Sequence, residues 1–259
     1  MSMGNLEIEV VPVLRDNYAY VVRHRATNTC AIIDPGAANP VMEALDRLHW
    51  TPKYIICTHY HHDQIGGVIG LRKRFEIRLI APEVDGEKIP GVDVKVRDGQ
   101  SFKIGDAQAR VIGVLGHTEG HVAYWFPGAK ALFSGDSLMT LGCGRVHEGT
   151  SKTMWNSLLK MRELPPETNV YCAHEHGQTN LQFARAMDPD NEALQKRGEY
   201  IMERRQLNLP TVPSLLGDEI TTNPFLRADV EELQRAVKLD GDAPPSKAFG
   251  RLRKRRDNY

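Results

Sequence analysis

The chain has 259 residues, 41% of them hydrophobic and 25% charged, which is enough for one large domain with a core or for a domain with a smaller appendage. Lys+Arg and Asp+Glu are equal at 33 each, so the overall charge gives no reason to expect a nucleic acid or other polyion as partner. No stretch is apolar enough to span a membrane, and Met1 to Val10, carrying Glu7 and Glu9, lacks the basic start and long apolar run of a secretory signal.

Short β-rich runs dominate the first two thirds: Leu6 to Val13, Tyr18 to Arg23, Cys30 to Asp34, Tyr54 to Cys57, Arg78 to Ala81, Val92 to Val96, Ala109 to Leu115, Val122 to Phe126, Ala131 to Ser134 and Asn169 to Cys172. Apolar residues at three-to-four spacing predict helices over Pro40 to His49, Asp63 to Phe75 and Lys152 to Glu163. This mixture predicts two sheets covered by helices. After Gln178 strand alternation stops, and helices are expected over Asn180 to Met187, Glu192 to Gln206 and Asp229 to Lys238, punctuated by Pro210, Pro213 and Pro224. Asp240 to Pro245 reads as a turn-rich linker before a last basic helix from about Ser246. The domains expected are 1–175 and 176–259. Cys30, Cys57, Cys143 and Cys172 form no CxxC pair and read as buried, reduced thiols of a cytoplasmic protein.

Chemistry concentrates where strands end. Thr58-His59-Tyr60-His61-His62-Asp63-Gln64-Ile65-Gly66-Gly67 follows an apolar strand and opens a helical pattern. Two imidazoles two residues apart in extended chain project to one side, and a carboxylate two further on lies at the helix start, so all three can face one metal region. His117 and His121 in Gly-His-Thr-Glu-Gly-His, Asp136 in Phe-Ser-Gly-Asp and His174 in Tyr-Cys-Ala-His-Glu-His recur at later strand ends. Any one such histidine is more often a satisfied polar residue than a ligand. The set, delivered in this order, points to metal. His62 is expected to face solvent or support its neighbours, His121 to orient its loop, and His24 and His49 to lie on the surface.

The order HxHxD, GHTxGH, SGD and CxHEx resembles the metallo-β-lactamase superfamily, whose fold is an αββα sandwich in the mixed α/β (α+β) class. Gly142-Cys143-Gly144-Arg145, Glu148-Gly149-Thr150, the run from Asn180 to Arg185, Pro210-Thr211-Val212-Pro213-Ser214 and Asn223-Pro224-Phe225 resemble the hydroxyacylglutathione hydrolase (glyoxalase II) family within it. That family adds a C-terminal helical domain. The resemblance implies two divalent metal ions, zinc with iron or manganese as alternatives: His59, His61 and His117 on the first, Asp63 and His174 on the second, and Asp136 bridging. Where the family has a further histidine after Asp63, this chain has Gln64, whose amide oxygen is a weaker and harder donor than imidazole.

The same resemblance implies hydrolysis of S-D-lactoylglutathione to D-lactate and glutathione. Metal-bound hydroxide would attack the thioester carbonyl, with Asp63 as candidate for orienting or deprotonating the water. It places Arg145, Arg253 and Arg256 at the carboxylates of a glutathione thioester, and His147 and His176 where the family has tyrosines. Two rivals remain: a persulfide dioxygenase with one iron held by two histidines and Asp136, and a non-catalytic thiol-binding protein weakened by Gln64. No membrane or nucleic-acid partner is expected, and the protein is read as a monomer.

Overall fold

Tyr18, Ala19, Tyr20, Val21 and Val22 are each at most 4% exposed, so a strand whose side chains alternate between two faces is covered on both. The computed structural model describes residues 5–240 and 242–259; Met1 to Gly4 of the N-terminal reading and Gly241 of the linker lie outside them. The chain divides into two compact units, Met1–Gly113 with Glu119–Gly135, and Val114–Thr118 with Asp136–Tyr259.

In the first unit β1 (Leu6–Val13), β2 (Asn17–His24) and β3 (Thr29–Ile33) form an antiparallel meander. Helix α1 (Ala38–Leu48) then leads to β4 (Pro52–Ile56), and α2 (His62–Ile65) and α3 (Val68–Arg74) lead to β5 (Arg78–Pro82) and β6 (Val94–Val96). From β3 onward the sheet is parallel, as helical crossovers require. The strands β7 (Ser101–Ile104), β8 (Ala107–Gly113), β9 (Val122–Phe126) and β10 (Ala131–Gly135) run antiparallel in that order in a second sheet. Val21, Ile32 and Ile55 pack with Val41, Leu45 and Leu71 of the helices. On the opposite face Tyr20 meets Phe133 of β10 with ring centroids 5.3 Å apart. The unit is thus layered helix, sheet, sheet.

The second unit carries α4 (Ser151–Arg162), β11 (Asn169–Cys172), α5 (Gly177–Met187), α6 (Glu192–Gln206), β12 (Ser214–Leu215), α7 (Leu216–Thr222), α8 (Glu231–Ala236) and α9 (Pro245–Asp257). Thr150 caps α4 by accepting from Thr153 N at 3.0 Å, and Asn191 caps α6 by accepting from Leu194 N at 3.0 Å. Leu141, Leu181, Ala184, Leu194 and Ile201 form a buried cluster between α5 and α6.

The single helix expected over Asp63 to Phe75 is two helices, broken at Gly66-Gly67. A side chain at Gly66 would come within 2.6 Å of Gly36 O, and one at Gly67 within 2.7 Å of Pro35 O, so the bare backbone is what lets the 34–37 turn press against the break. Strands β7 and β12 and helix α7 escape the sequence reading. They are Ser-Phe-Lys-Ile, Ser-Leu and Leu-Gly-Asp-Glu-Ile-Thr-Thr, each with at most two apolar side chains, too few to mark a period. His24 is not a surface residue: it is 2% exposed, with Nδ1 2.9 Å from Thr27 Oγ1. His49 is exposed, at the end of α1. All four cysteines are free and buried. Among the described residues no helix is long and apolar enough to cross a membrane.

Candidate metal centre

The donors of the first unit sit where β4 turns into α2. Asp34, 3% exposed, accepts from Thr58 N at 2.7 Å and from Thr58 Oγ1 at 2.8 Å. With its proton given to Asp34, the Thr58 hydroxyl accepts from His59 Nδ1, 3.0 Å away, which leaves Nε2 as the lone-pair nitrogen. That Nε2 stands 3.2 Å from His61 Nδ1. His121 is fully buried and stacks on His59, centroids 4.5 Å apart. A Cβ at Gly135 would be 2.6 Å from both Thr58 Oγ1 and His121 Cε1, so only glycine allows β10 to end beside this group.

Asp63 opens α2, where a carboxylate suits the helix N-terminus. Its Oδ2 accepts from Asn17 Nδ2 at 2.9 Å and from Gln64 Nε2 at 3.3 Å. Gln64 is fully buried, and its Oε1 has no hydrogen-bond partner among the described residues. A buried amide oxygen in that state costs roughly 1–3 kcal/mol unless something electropositive meets it. His62 is exposed, as expected.

The second unit carries its own donor group. His117 Nδ1 lies 2.9 Å from the carbonyl of Arg145, which can only accept, so Nδ1 holds the proton and Nε2 presents a lone pair. This Nε2 faces Asp136 Oδ2 at 3.3 Å, and His174 Nε2 faces the same oxygen at 3.4 Å. Gly144 N donates to Asp136 O at 2.7 Å, and a Cβ there would meet that oxygen at 2.2 Å, which accounts for the glycine of Gly142-Cys143-Gly144-Arg145. Asn180 Nδ2 donates to Thr140 O at 2.9 Å and Asn223 Nδ2 to Gly142 O at 3.0 Å, so the motifs that are far apart in sequence brace one loop.

Two donors on one tetrahedral zinc, each about 2.0–2.1 Å from it, stand ~3.3 Å apart. The separations 3.2, 3.3 and 3.4 Å match that spacing. In each unit the residues present therefore fit a divalent metal ion.

His147 is exposed, its ring edge-on to His117 at 5.1 Å; His176 stacks on His174 at 4.9 Å, 11° from parallel. Arg145 is 67% exposed, and Arg256 Nε donates to Asn180 Oδ1 at 3.2 Å. Arg253 is turned inward at 8% exposure. The sequence reading missed Glu175, whose carboxylate takes Thr211 N at 2.7 Å and Thr211 Oγ1 at 2.8 Å and ties the Pro210-to-Ser214 loop beside His174 and His176. It also missed Asn17 and Asp257; the acidic Glu-His context of Glu175 was the one local signal.

Residues 13–174 match the metallo-beta-lactamase superfamily, and 175–259 match the hydroxyacylglutathione hydrolase C-terminus. A hydroxyacylglutathione hydrolase of Rhodospirillum rubrum is 46% identical over 99% of this chain and 100% of its own, and one of Methylococcus capsulatus is 43% identical over 98% and 99%. Among solved structures the BLEG-1 B3 metallo-beta-lactamase superposes with TM-score 0.65 at 23% identity, covering 85% of this chain and 99% of that one. ETHE1 from Myxococcus xanthus superposes with TM-score 0.60 at 25% identity, covering 85% and 98%. The mixed α/β class and the superfamily fold expected from the motifs are those found. The chain belongs to the hydroxyacylglutathione hydrolase family of the metallo-β-lactamase superfamily.

Proposed function

We propose that this protein is a metal-dependent thioester hydrolase that cleaves S-D-lactoylglutathione and similar 2-hydroxyacylglutathiones to the hydroxy acid and glutathione. The observation that carries this reading is the match of 175–259 to the hydroxyacylglutathione hydrolase C-terminus, joined in one chain to donors spaced for metal.

His59, His61 and His117 would hold one ion and Asp63, Gln64 and His174 the other, with Asp136 shared. Zinc suits the imidazoles, while the amide oxygen of Gln64 tilts the second position toward iron or manganese. Held there, two such ions would lower the pKa of a water and offset charge on the thioester oxygen. The chain's own residues do the rest. Asn17 and Gln64 fix the plane of the Asp63 carboxylate, which orients the attacking water and takes its proton. Thr58 and the Arg145 carbonyl hold the imidazoles of His59 and His117 in one tautomer. Arg145 and Arg256 receive substrate carboxylates, with Arg253 behind them, and His147 and His176 line the approach of the thiol peptide. The glutathione sulfur leaves as thiolate, a good leaving group because a thiol is a far stronger acid than an alcohol. Residues 1–175 form the hydrolytic part and 176–259 the part that selects substrate, in a cytoplasmic monomer.

The test is elemental analysis of metal per chain on the sample assayed for S-D-lactoylglutathione hydrolysis. Two ions per chain and glutathione released in step with thioester lost support the reading. One iron per chain, oxygen uptake with glutathione persulfide and no thioester loss would replace it with the dioxygenase.

A further inference from the structure

In the second unit a cavity of about 290 Å³ is lined by Thr140 and by residues of α6, β11, β12 and α7. Its lining is polar where it is buried. Thr140 is 2% exposed and Ser214 7%, and neither hydroxyl has a hydrogen-bond partner among the described residues. Buried polar groups are nearly always paired, and neighbouring hydroxyls obey that rule: Thr211 Oγ1 donates to Glu175 Oε1 at 2.8 Å, and Thr222 Oγ1 accepts from Arg197 Nη1 at 2.6 Å. Two orphaned hydroxyls on residues that line one cavity point to a guest. Arg197, also in the lining, commits one N–H to Thr222 and one to Glu219, so donors remain on its guanidinium.

Where the lining is exposed it offers apolar surface: Tyr200 is 53% exposed and Leu215 40%. Two such side chains at one cavity give a guest apolar area to cover, which water alone does not do. Asp218, exposed in the same lining, adds a carboxylate. An anion would meet the charge of Asp218, and a cation that of Arg197. A hydroxyl suits both, because it donates to the carboxylate and accepts from the guanidinium.

We propose that this cavity is a second ligand site, for a small neutral polyol of the monosaccharide or cyclitol class. Ring hydroxyls of the guest pair with Thr140, Ser214 and Arg197, and its C–H face covers Tyr200 and Leu215. The cavity has room for roughly ten waters at ~30 Å³ each, comparable to one such ring of about a dozen heavy atoms. The site is built without any residue that the thioester reading uses, so it stands or falls separately.

The probes are myo-inositol and methyl α-D-glucopyranoside, titrated into the zinc-loaded full chain while proton–nitrogen correlation spectra are recorded. At least one ring is expected to shift amides at 140, 169, 197–201 and within 211–218, saturating with a Kd on the order of 1 mM, as befits about a dozen heavy atoms. The ring that binds tells cyclitol from sugar. Thr140→Val and Ser214→Ala are each expected to weaken that binding about three- to tenfold. Because neither hydroxyl has a partner in the fold, the thermal midpoint of each variant should stay level or rise. Inositol monophosphate, which brings an anion to Asp218, should bind less well. Shifts that saturate with neither ring, that centre on other residues, or that both variants leave unchanged overturn the proposal. A falling midpoint also overturns it, by showing that the hydroxyls serve the fold through trapped water. Tighter binding of the phosphate does the same, by making the site one for anions.

Discussion

His117 Nε2 stands 3.3 Å from Asp136 Oδ2, and the other ring nitrogen is committed to the carbonyl of Arg145. His174 Nε2 approaches the same carboxylate oxygen at 3.4 Å, so Asp136 is the meeting point of two imidazole nitrogens. Asp136→Asn presents an amide there and is expected to weaken metal binding by more than the ~10- to 100-fold typical of residues that only orient a ligand. Equilibrium dialysis against a chelating buffer measures this. Metal content equal to wild type would remove Asp136 from the centre.

Metal that binds the folded chain and not the unfolded one adds stability, about 4 kcal/mol at a thousand times the Kd. Dialysis against a strong chelator should lower the midpoint of thermal unfolding by several degrees, and adding metal back should restore it. A midpoint indifferent to metal would argue that no ion is held by the folded state.

Thr58 lies between Asp34 and His59, giving its proton to one and accepting from the other. Thr58→Val keeps the shape and deletes the hydroxyl, leaving a buried carboxylate one partner short and the imidazole free to turn. We expect a loss of stability of roughly 1–3 kcal/mol and ~10- to 100-fold weaker metal binding. Thr58→Ser should recover most of both. Urea unfolding of the metal-free variants separates the two effects.

Gln64 places an amide oxygen where the family has imidazole, and that oxygen is buried without a hydrogen-bond partner among the described residues. Gln64→His should raise zinc per chain at limiting zinc and reduce the preference for manganese or iron, read by elemental analysis after competition with equal concentrations of the three ions. Identical metal ratios in the two proteins would mean that position 64 is not a ligand.

In the second unit Glu219 is fully buried and accepts from Arg197, from Leu141 N at 3.0 Å and from Asn223 Nδ2 at 2.9 Å. Glu219→Ala strands the Arg197 charge and two amide donors, and is expected to cost about 3–5 kcal/mol. Because Asn223 also donates to Met139 O and Gly142 O, the loop carrying Arg145 should loosen, and hydrogen exchange at 139–145 should speed up well before global unfolding. Unaltered exchange there would show that Glu219 serves the helices alone.

Burial pushes the thiols of Cys30 and Cys172 up to about 12 and that of Cys143 up to about 11, and raises Cys57 well above its ordinary value. The native protein at pH 8.5 should leave a thiol reagent unreacted until urea exposes four groups. In the unfolded chain these thiols ionise near ~8.5, so the unfolded state sheds protons first. Their contribution to stability is therefore complete below that pH and is lost as pH climbs from about 9 toward 12. Denaturation midpoints that rise over that range would contradict the burial.

Much of this molecule is legible along the chain because it is local. The periods of β1, β9, β11 and α6 return their bounds unchanged, since a half-buried strand or helix writes its own spacing into its apolar residues. The identity and order of His59, His61, Asp63, His117, Asp136 and His174 are equally local, each donor standing at or just past the end of an apolar strand. What the sequence by itself determined is therefore which chemical groups are supplied, and in what order. Tertiary structure decided which atom of each group is usable: Nε2 of His117 because a carbonyl 28 residues on takes Nδ1, and the exposed Arg145 over Arg253 because the latter is buried to 8% exposure against a backbone oxygen 110 residues away. The buried His24 belongs to the same class. Hydrogen bonding and burial depend on what the rest of the chain brings alongside, and no periodicity or spacing encodes that.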